Sequence, residues 1–304
     1  MLSGRLRCGG LPHMLTIGGI GLLSDVDGGY VVADLQVLPN KANADTPLEA
    51  QLCIFQSHSP DEWQLARPQI RHQNGQEKDL IWWSTDTVIP YGDALCYADY
   101  LRGILVANVR SDCSELHYIP LPVRVPTGKP ADPELGTRGC PHMLRSVCTT
   151  KGGILKFVDV VCTTVFVAGS RSPVESYFEI RLWSLDDVSK AWKQETVLGD
   201  AELWSLQGYG DLPHVVPEFP LVSMEDPSII YFLLRNDSDD SSGDANTWII
   251  MVDVLNRTVR SSTQYTIVDK LSNYDGDMAS RNFAANEAFI PCEFSQYLKV
   301  DDTM

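Results

Sequence analysis

Four stretches of the chain read as one unit written four times. A Gly-led apolar strand comes first, then a second apolar strand, a polar turn, and a strand entered at Trp or another apolar residue. The copies are Gly29-Tyr30-Val31-Val32-Ala33 with Ala50 to Ile70, Leu95 to Pro120, Gly153-Ile154-Leu155-Lys156-Phe157 with Phe178 to Leu198, and Ser228 to Tyr265. A long period built from strands predicts an all-β, β-propeller-like array of blades, because each unit hides its apolar faces on its neighbours. A β-sandwich is the alternative.

Linking strands are expected near His13-Met14-Leu15, Ile81-Trp82-Trp83, His142-Met143-Leu144 and His214-Val215-Val216, with a last one near Asn282-Phe283-Ala284. One linking strand plus the three strands that follow makes a four-stranded blade. Four blades are then visible, with one strand over at the C-terminus. Residues 282–294 are expected either to close the array by pairing with the first 35 residues or to form an exposed edge. Residues 1–27 read as a poorly defined N-terminal segment, 28–298 as the repeat domain and 299–304 as a tail. An N-terminally shortened form of a longer chain is a second expectation, and it leaves the completeness of the ring open.

Composition narrows the function more than the fold. The 40 acidic residues outnumber the 24 basic ones and give a net charge of -16, which repels phosphate backbones and argues against nucleic acid. No apolar run approaches the roughly 18 residues that span a bilayer, so no membrane role is expected. Arg5 and Arg7 precede the apolar stretch Met14 to Leu23, a loose imitation of a signal peptide, but it is Gly-rich and lacks an A-x-A-like cleavage site. A cytoplasmic or nuclear location is expected, and secretion is disfavoured. The sequons Asn236-Asp237-Ser238 and Asn256-Arg257-Thr258 are too common by chance to reverse that. The eight Cys show no Cys-x-x-Cys spacing, and most lie in apolar strand text, so eight reduced thiols are expected.

Candidate chemistry is sparse. Gly18-Gly19-Ile20-Gly21 is followed by Ser24 where a dinucleotide fingerprint needs Gly, so no cofactor is expected. Asp25-Val26-Asp27-Gly28-Gly29 and Asp275-Gly276-Asp277 lack the remaining ligands of a calcium loop and read as turns. The six His show no zinc spacing, so no metal site is expected. There is no Gly-x-Ser-x-Gly elbow, and no catalytic residue is assigned. The strand acids Asp34, Asp159 and Asp253 are expected to hold loop backbone at strand ends. The densest aromatic and acidic group is Trp82, Trp83, Asp86, Tyr91, Asp99 and Tyr100. Such residues fill the space between blades, and they also form the hot spots of binding faces. They are the candidate binding face.

The stretches Asp79 to Asp86, Val88 to Gly92 and Leu95 to Leu105 resemble a plant family abundant in grasses, known as domain of unknown function 1618. Leu116 to Pro122, Leu155 to Asp159, Arg181 to Leu185 with Trp192, Phe219 to Met224 and Ile249 to Asp253 extend the resemblance to roughly residues 28–298. It implies no activity that attaches to a residue. It also resembles in style the propeller-like domains that follow F-box motifs in plant ubiquitin-ligase receptors, although no F-box-like helical segment precedes the repeats. The expected function is therefore a non-catalytic scaffold that binds a protein partner. The rivals are a ubiquitin-ligase substrate receptor without a recognisable F-box and a glycan-active propeller enzyme with acids in its channel.

Overall fold

The computed structural model describes residues 5–8, 11–14, 17–24, 27–39, 48–73, 75–110, 113–125, 139–166, 173–236 and 246–265. The chain divides into two compact units, one comprising Met1–Pro141 with Asp186–Trp192, the other His142–Leu185 with Lys193–Met304.

The first unit opens with a hairpin of β1 (Arg5–Cys8) and β2 (Leu11–Met14). A four-stranded antiparallel meander follows: β3 (Ile20–Ser24), β4 (Tyr30–Pro39), β5 (Leu48–Gln56) and β6 (Ser59–Ala66). The short β7 (Gln69–Arg71) then joins the next sheet, parallel to its last strand. That sheet is a second meander of β8 (Thr87–Tyr91), β9 (Ala94–Asp99), β10 (Gly103–Ala107) and β11 (Glu115–Pro120).

The second unit repeats the plan twice. One meander is β12 (Arg145–Thr149), β13 (Leu155–Phe166), β14 (Pro173–Asp186) and β15 (Ala191–Gly199). The other is β16 (Glu218–Val222), β17 (Ile229–Asn236), β18 (Asn246–Asp253) and β19 (Thr258–Tyr265). Helix among the described residues is limited to the single turns α1 (Glu77–Leu80) and α2 (Asp200–Trp204), with 3-10 turns at Ile17–Gly19 and Pro141–Met143. The protein is all-β, with the meander used four times, as the repeat predicts.

Each unit has one core, made where two meanders face each other. In the first, the period-two residues Val31, Ala33 and Leu35 of β4 meet Leu95 and Tyr97 of β9 and Leu105 of β10. In the second, Val158 and Val160 of β13 and Ile180 of β14 meet Ile230 and Phe232 of β17. The first strand of one sheet packs tightly against the other. At Gly21 of β3 an added Cβ would lie 2.6 Å from Leu95 Cδ1 and 2.7 Å from Val88 Cγ1, so only hydrogen fits between the sheets there.

Three features differ from the sequence reading. All four described first strands begin later in the chain than expected, at Ile20, Thr87, Arg145 and Glu218. Leu11–Met14 lies in the separate hairpin, Ile81–Trp82 lies in a turn after α1, Pro141–Met143 is a 3-10 turn, and 214–216 is irregular. Backbone chemistry explains the shift. Trp83 N–H already bonds Leu80 O at 3.1 Å and Val215 N–H bonds Pro213 O at 3.0 Å, while Pro141 and Pro217 bring no N–H at all. The second difference concerns the thiols. Cys53, wholly buried in β5, is disulfide-bonded, so the expectation of eight reduced thiols fails there. Spacing along a chain cannot reveal a bridge made by folding. Cys96, Cys113, Cys140, Cys148 and Cys162 are free, and burial pushes the Cys96 and Cys148 thiols up to about 12. The third concerns 282–294, which lies outside the described residues.

Candidate functional site

The six residues chosen from the sequence all belong to the first unit, but they do not form one site. Five gather where β8 starts and the β9–β10 hairpin turns. Tyr91 ends β8 and so stands at the opposite end of that sheet.

The first group is organised by two carboxylates. Asp99, fully buried, accepts Ser84 N–H at 3.0 Å and Leu101 N–H at 2.9 Å. Asp86 accepts Tyr100 N–H at 2.8 Å, and its own N–H donates to Ala98 O at 2.8 Å. The strand entry at 84–86 is thereby stitched to the hairpin at 98–101. Arg102, 4% exposed, brings its Nη1 to 3.9 Å from Asp99 Oδ2 and offsets that buried charge. Tyr118 donates its hydroxyl to Arg102 O at 3.2 Å, and its ring lies edge-on to Trp83 with centroids 6.3 Å apart. Burial pushes the Tyr118 phenol up, and the nearby Asp79 and Asp99 add to that. Burial also raises the Asp79 carboxyl, with Arg102 opposing. At Gly103 an added Cβ would lie 2.4 Å from the Tyr118 ring and 2.7 Å from Ile119 O, so this hairpin needs glycine.

Exposure separates the members of this group. Asp99 and Tyr100 are buried, and Trp83 and Asp86 are half-buried. Trp83 donates its indole N–H to Thr85 Oγ1 at 3.1 Å and packs on the core. Trp82 is 40% exposed and Ile81 beside it 42%. Tyr91, at the far end, donates its hydroxyl to Asp187. Burial and that bond both push the phenol up.

The far end of the same unit holds a second constellation that sequence reasoning missed. A shallow cavity of about 190 Å³ is lined by Tyr30, Val31, Gln56, His58 and Arg110. These come from the start of β4, the end of β5 with the β5–β6 turn, and the chain after β10. Arg110 donates through Nη2 to Ser24 O at 2.7 Å and meets Asp93 Oδ1 at 3.2 Å through Nε. His58 Nε2 lies 3.7 Å from Asp27 Oδ2. The rings of Tyr30 and Phe55 stand 6.2 Å apart, and Phe55 and Trp63 5.4 Å. No local motif links these residues. The one legible signal is topological: the meander puts alternate turns of neighbouring repeats at the same end.

The strand acids separate by partner. Asp253 accepts Asn256 N–H at 2.8 Å, as expected of a strand-end acid. Asp159 instead takes Arg145 Nε at 2.8 Å across the β12–β13 pair. Asp34 is fully buried in β4. Among the described residues, no three His, Cys, Asp or Glu are grouped to hold a metal ion. No described helix is long and apolar enough to cross a membrane.

Four meanders and two loop-borne clusters define an all-β repeat protein. Over residues 97–231 the chain matches the model of the family described as Protein of unknown function (DUF1618). The match runs from β9 into β17 and supports the family resemblance read from the sequence. It includes Asp99 and Tyr100 but not Trp82, Trp83, Asp86 or Tyr91. No curated protein matches the chain.

Proposed function

We propose that the chain is a non-catalytic scaffold that binds another protein through the turn carrying Ile81 and Trp82. The observation behind this is their joint exposure on a backbone that buried groups hold fixed. Asp99 fixes Ser84, and Trp83 is packed inward, so Trp82 is presented without a large ordering cost. A preorganised, exposed aromatic beside an aliphatic residue is the chemistry of an interface anchor. Trp83, Asp86, Asp99 and Tyr100 position it. The propeller-like reading of the four meanders, the likeness to plant F-box-associated domains and an intracellular location belong to this same proposal.

The experiment is proximity labelling in cells with wild type and Trp82→Ala. The variant should melt within about 2 °C of wild type, since the side chain is half in solvent. It should lose the partner labelled beside the wild-type turn. An unchanged set of labelled proteins at matched expression would sink the reading.

A further inference from the structure

We propose that the Tyr30–Arg110 cavity is a second binding site and that it takes a carboxylate. This goes beyond the scaffold reading, because it lies at the opposite end of the first unit's sheets from Trp82. Among the described residues, the polar side chains of its lining are those of Arg110, His58, Gln56 and Tyr30, none of them an acid. All of these can donate a hydrogen bond. The carboxylates of Asp27 and Asp93 pair with His58 and Arg110 from outside that lining.

The guanidinium is already placed for such a ligand. Its bond to Ser24 O fixes it at the mouth of the β3–β4 turn. It also pairs with Asp93, which is 82% exposed, in a surface ion pair that solvent screens. An incoming carboxylate can take the position of Asp93 and form the planar fork that guanidinium favours. The Tyr30 ring, 44% exposed and flanked by Phe55, supplies an apolar wall for the carbon stem. The cavity of about 190 Å³ fits one short side chain or chain end, not a large cofactor. The chain's net charge of -16 opposes polyanions and favours a single carboxylate on an otherwise neutral or basic ligand.

The test is NMR titration of the full chain at fixed ionic strength, read at the Arg110 Nε–H and Gln56 side-chain signals. The probes are N-acetyl-aspartic acid amide, N-acetylalanine, the neutral N-acetyl-asparagine amide and inorganic phosphate. Saturable shifts with the carboxylates and none with the neutral amide are expected, and the tighter of the two carboxylates tells a side chain from a chain end. Asp93→Asn removes an internal competitor and should tighten the carboxylate probe about three- to tenfold. Arg110→Gln should abolish binding. Because Arg110 also braces Ser24, Gln56→Ala serves beside it and should weaken binding while leaving the fold intact. Equal shifts with the neutral amide, shifts that never saturate, or an Asp93→Asn affinity equal to wild type would overturn the site. Phosphate binding tighter than either carboxylate would overturn the assignment of ligand. Trp82→Ala should leave every titration unchanged, which separates this site from the scaffold reading.

Discussion

The two ends of the first unit use the same residue types for opposite purposes. At the Trp82 end, Asp99 is fully buried and its oxygens are taken by the backbone N–H groups of Ser84 and Leu101. At the Arg110 end, Asp93 is 82% exposed and pairs with the Arg110 side chain at 3.2 Å. Burial decides which is which. A carboxylate removed from water must have its lone pairs filled, so it becomes part of the scaffold. One left in water holds its partner weakly and can be replaced. The same division runs through two other hairpins. Buried Asp253 accepts Asn256 N–H, while exposed Asp186 caps the β14–β15 turn through Val188 and Ser189 N–H at 3.0 and 2.7 Å.

The comparison breaks first at Asp99. Replacing it with Ala strands the Ser84 and Leu101 N–H donors and leaves the Arg102 guanidinium, 4% exposed, without its nearby carboxylate. A loss of about 3 to 5 kcal/mol is expected in urea unfolding, enough to bring a marginal domain near its threshold. Asp99→Asn, which keeps one acceptor, should lose less. An Ala variant with an unchanged midpoint would mean that the stitch between 84–86 and 98–101 does not hold this end together.

Next in size is Gly103→Ala. The added methyl meets the Tyr118 ring and also the Ile119 carbonyl, and the carbonyl belongs to the β10–β11 ladder and cannot swing aside. Overpacking of this kind costs about 1 to 3 kcal/mol. Thermal unfolding measures it, and pairing the change with Tyr118→Leu should recover part of the loss if the ring is the main obstacle.

The legibility of these features follows the range of the interactions behind them. Alternation within β4 and β14 and the fourfold unit are local, so the four meanders were readable. The starts of β8, β12 and β16 were not, because Trp83, Pro141, Pro213 and Pro217 set turns that apolar content alone disguises as strand. The candidate face was half legible. Trp82, Trp83, Asp86, Asp99 and Tyr100 do meet, since a strand entry and a hairpin lie close in sequence. Tyr91 does not join them, because five residues of extended β8 carry it to the other end. Arg110, His58, Tyr30 and Gln56 converge only through sheet topology, and the Cys53 bridge only through the fold, so neither left a motif.

The acid response of Asp253 is a smaller effect with a defined sign. Burial alone would raise its carboxyl, but the Asn256 side chain and backbone and then Arg260 outweigh that and hold it at about 2, below the ordinary 3.8. A depressed carboxyl contributes stability that is fully present above its unfolded value. That contribution falls away as pH drops from about 4 to about 2. Asp253→Asn should therefore flatten the acid limb of a stability–pH curve in that window and leave its slope near neutrality unchanged. An acid limb identical to wild type would place the titration elsewhere.

The smallest effect is expected at Asp93, and its smallness is the point. With 82% of the side chain in water, the pair it makes with Arg110 is screened, and holding two side chains together offsets most of the attraction. Asp93→Asn should shift stability by no more than about 0.5 kcal/mol, measured by urea unfolding at low salt, and by less still at high salt. Arg110 keeps its bond to Ser24 O in the variant, so the β3–β4 turn stays braced. A loss as large as that of Asp99→Ala would show that this end, too, is held by its acid, and the contrast between a fixed end and a replaceable one would be gone. A negligible loss leaves Asp93 as an acid whose place on Arg110 another carboxylate can take without disturbing the fold.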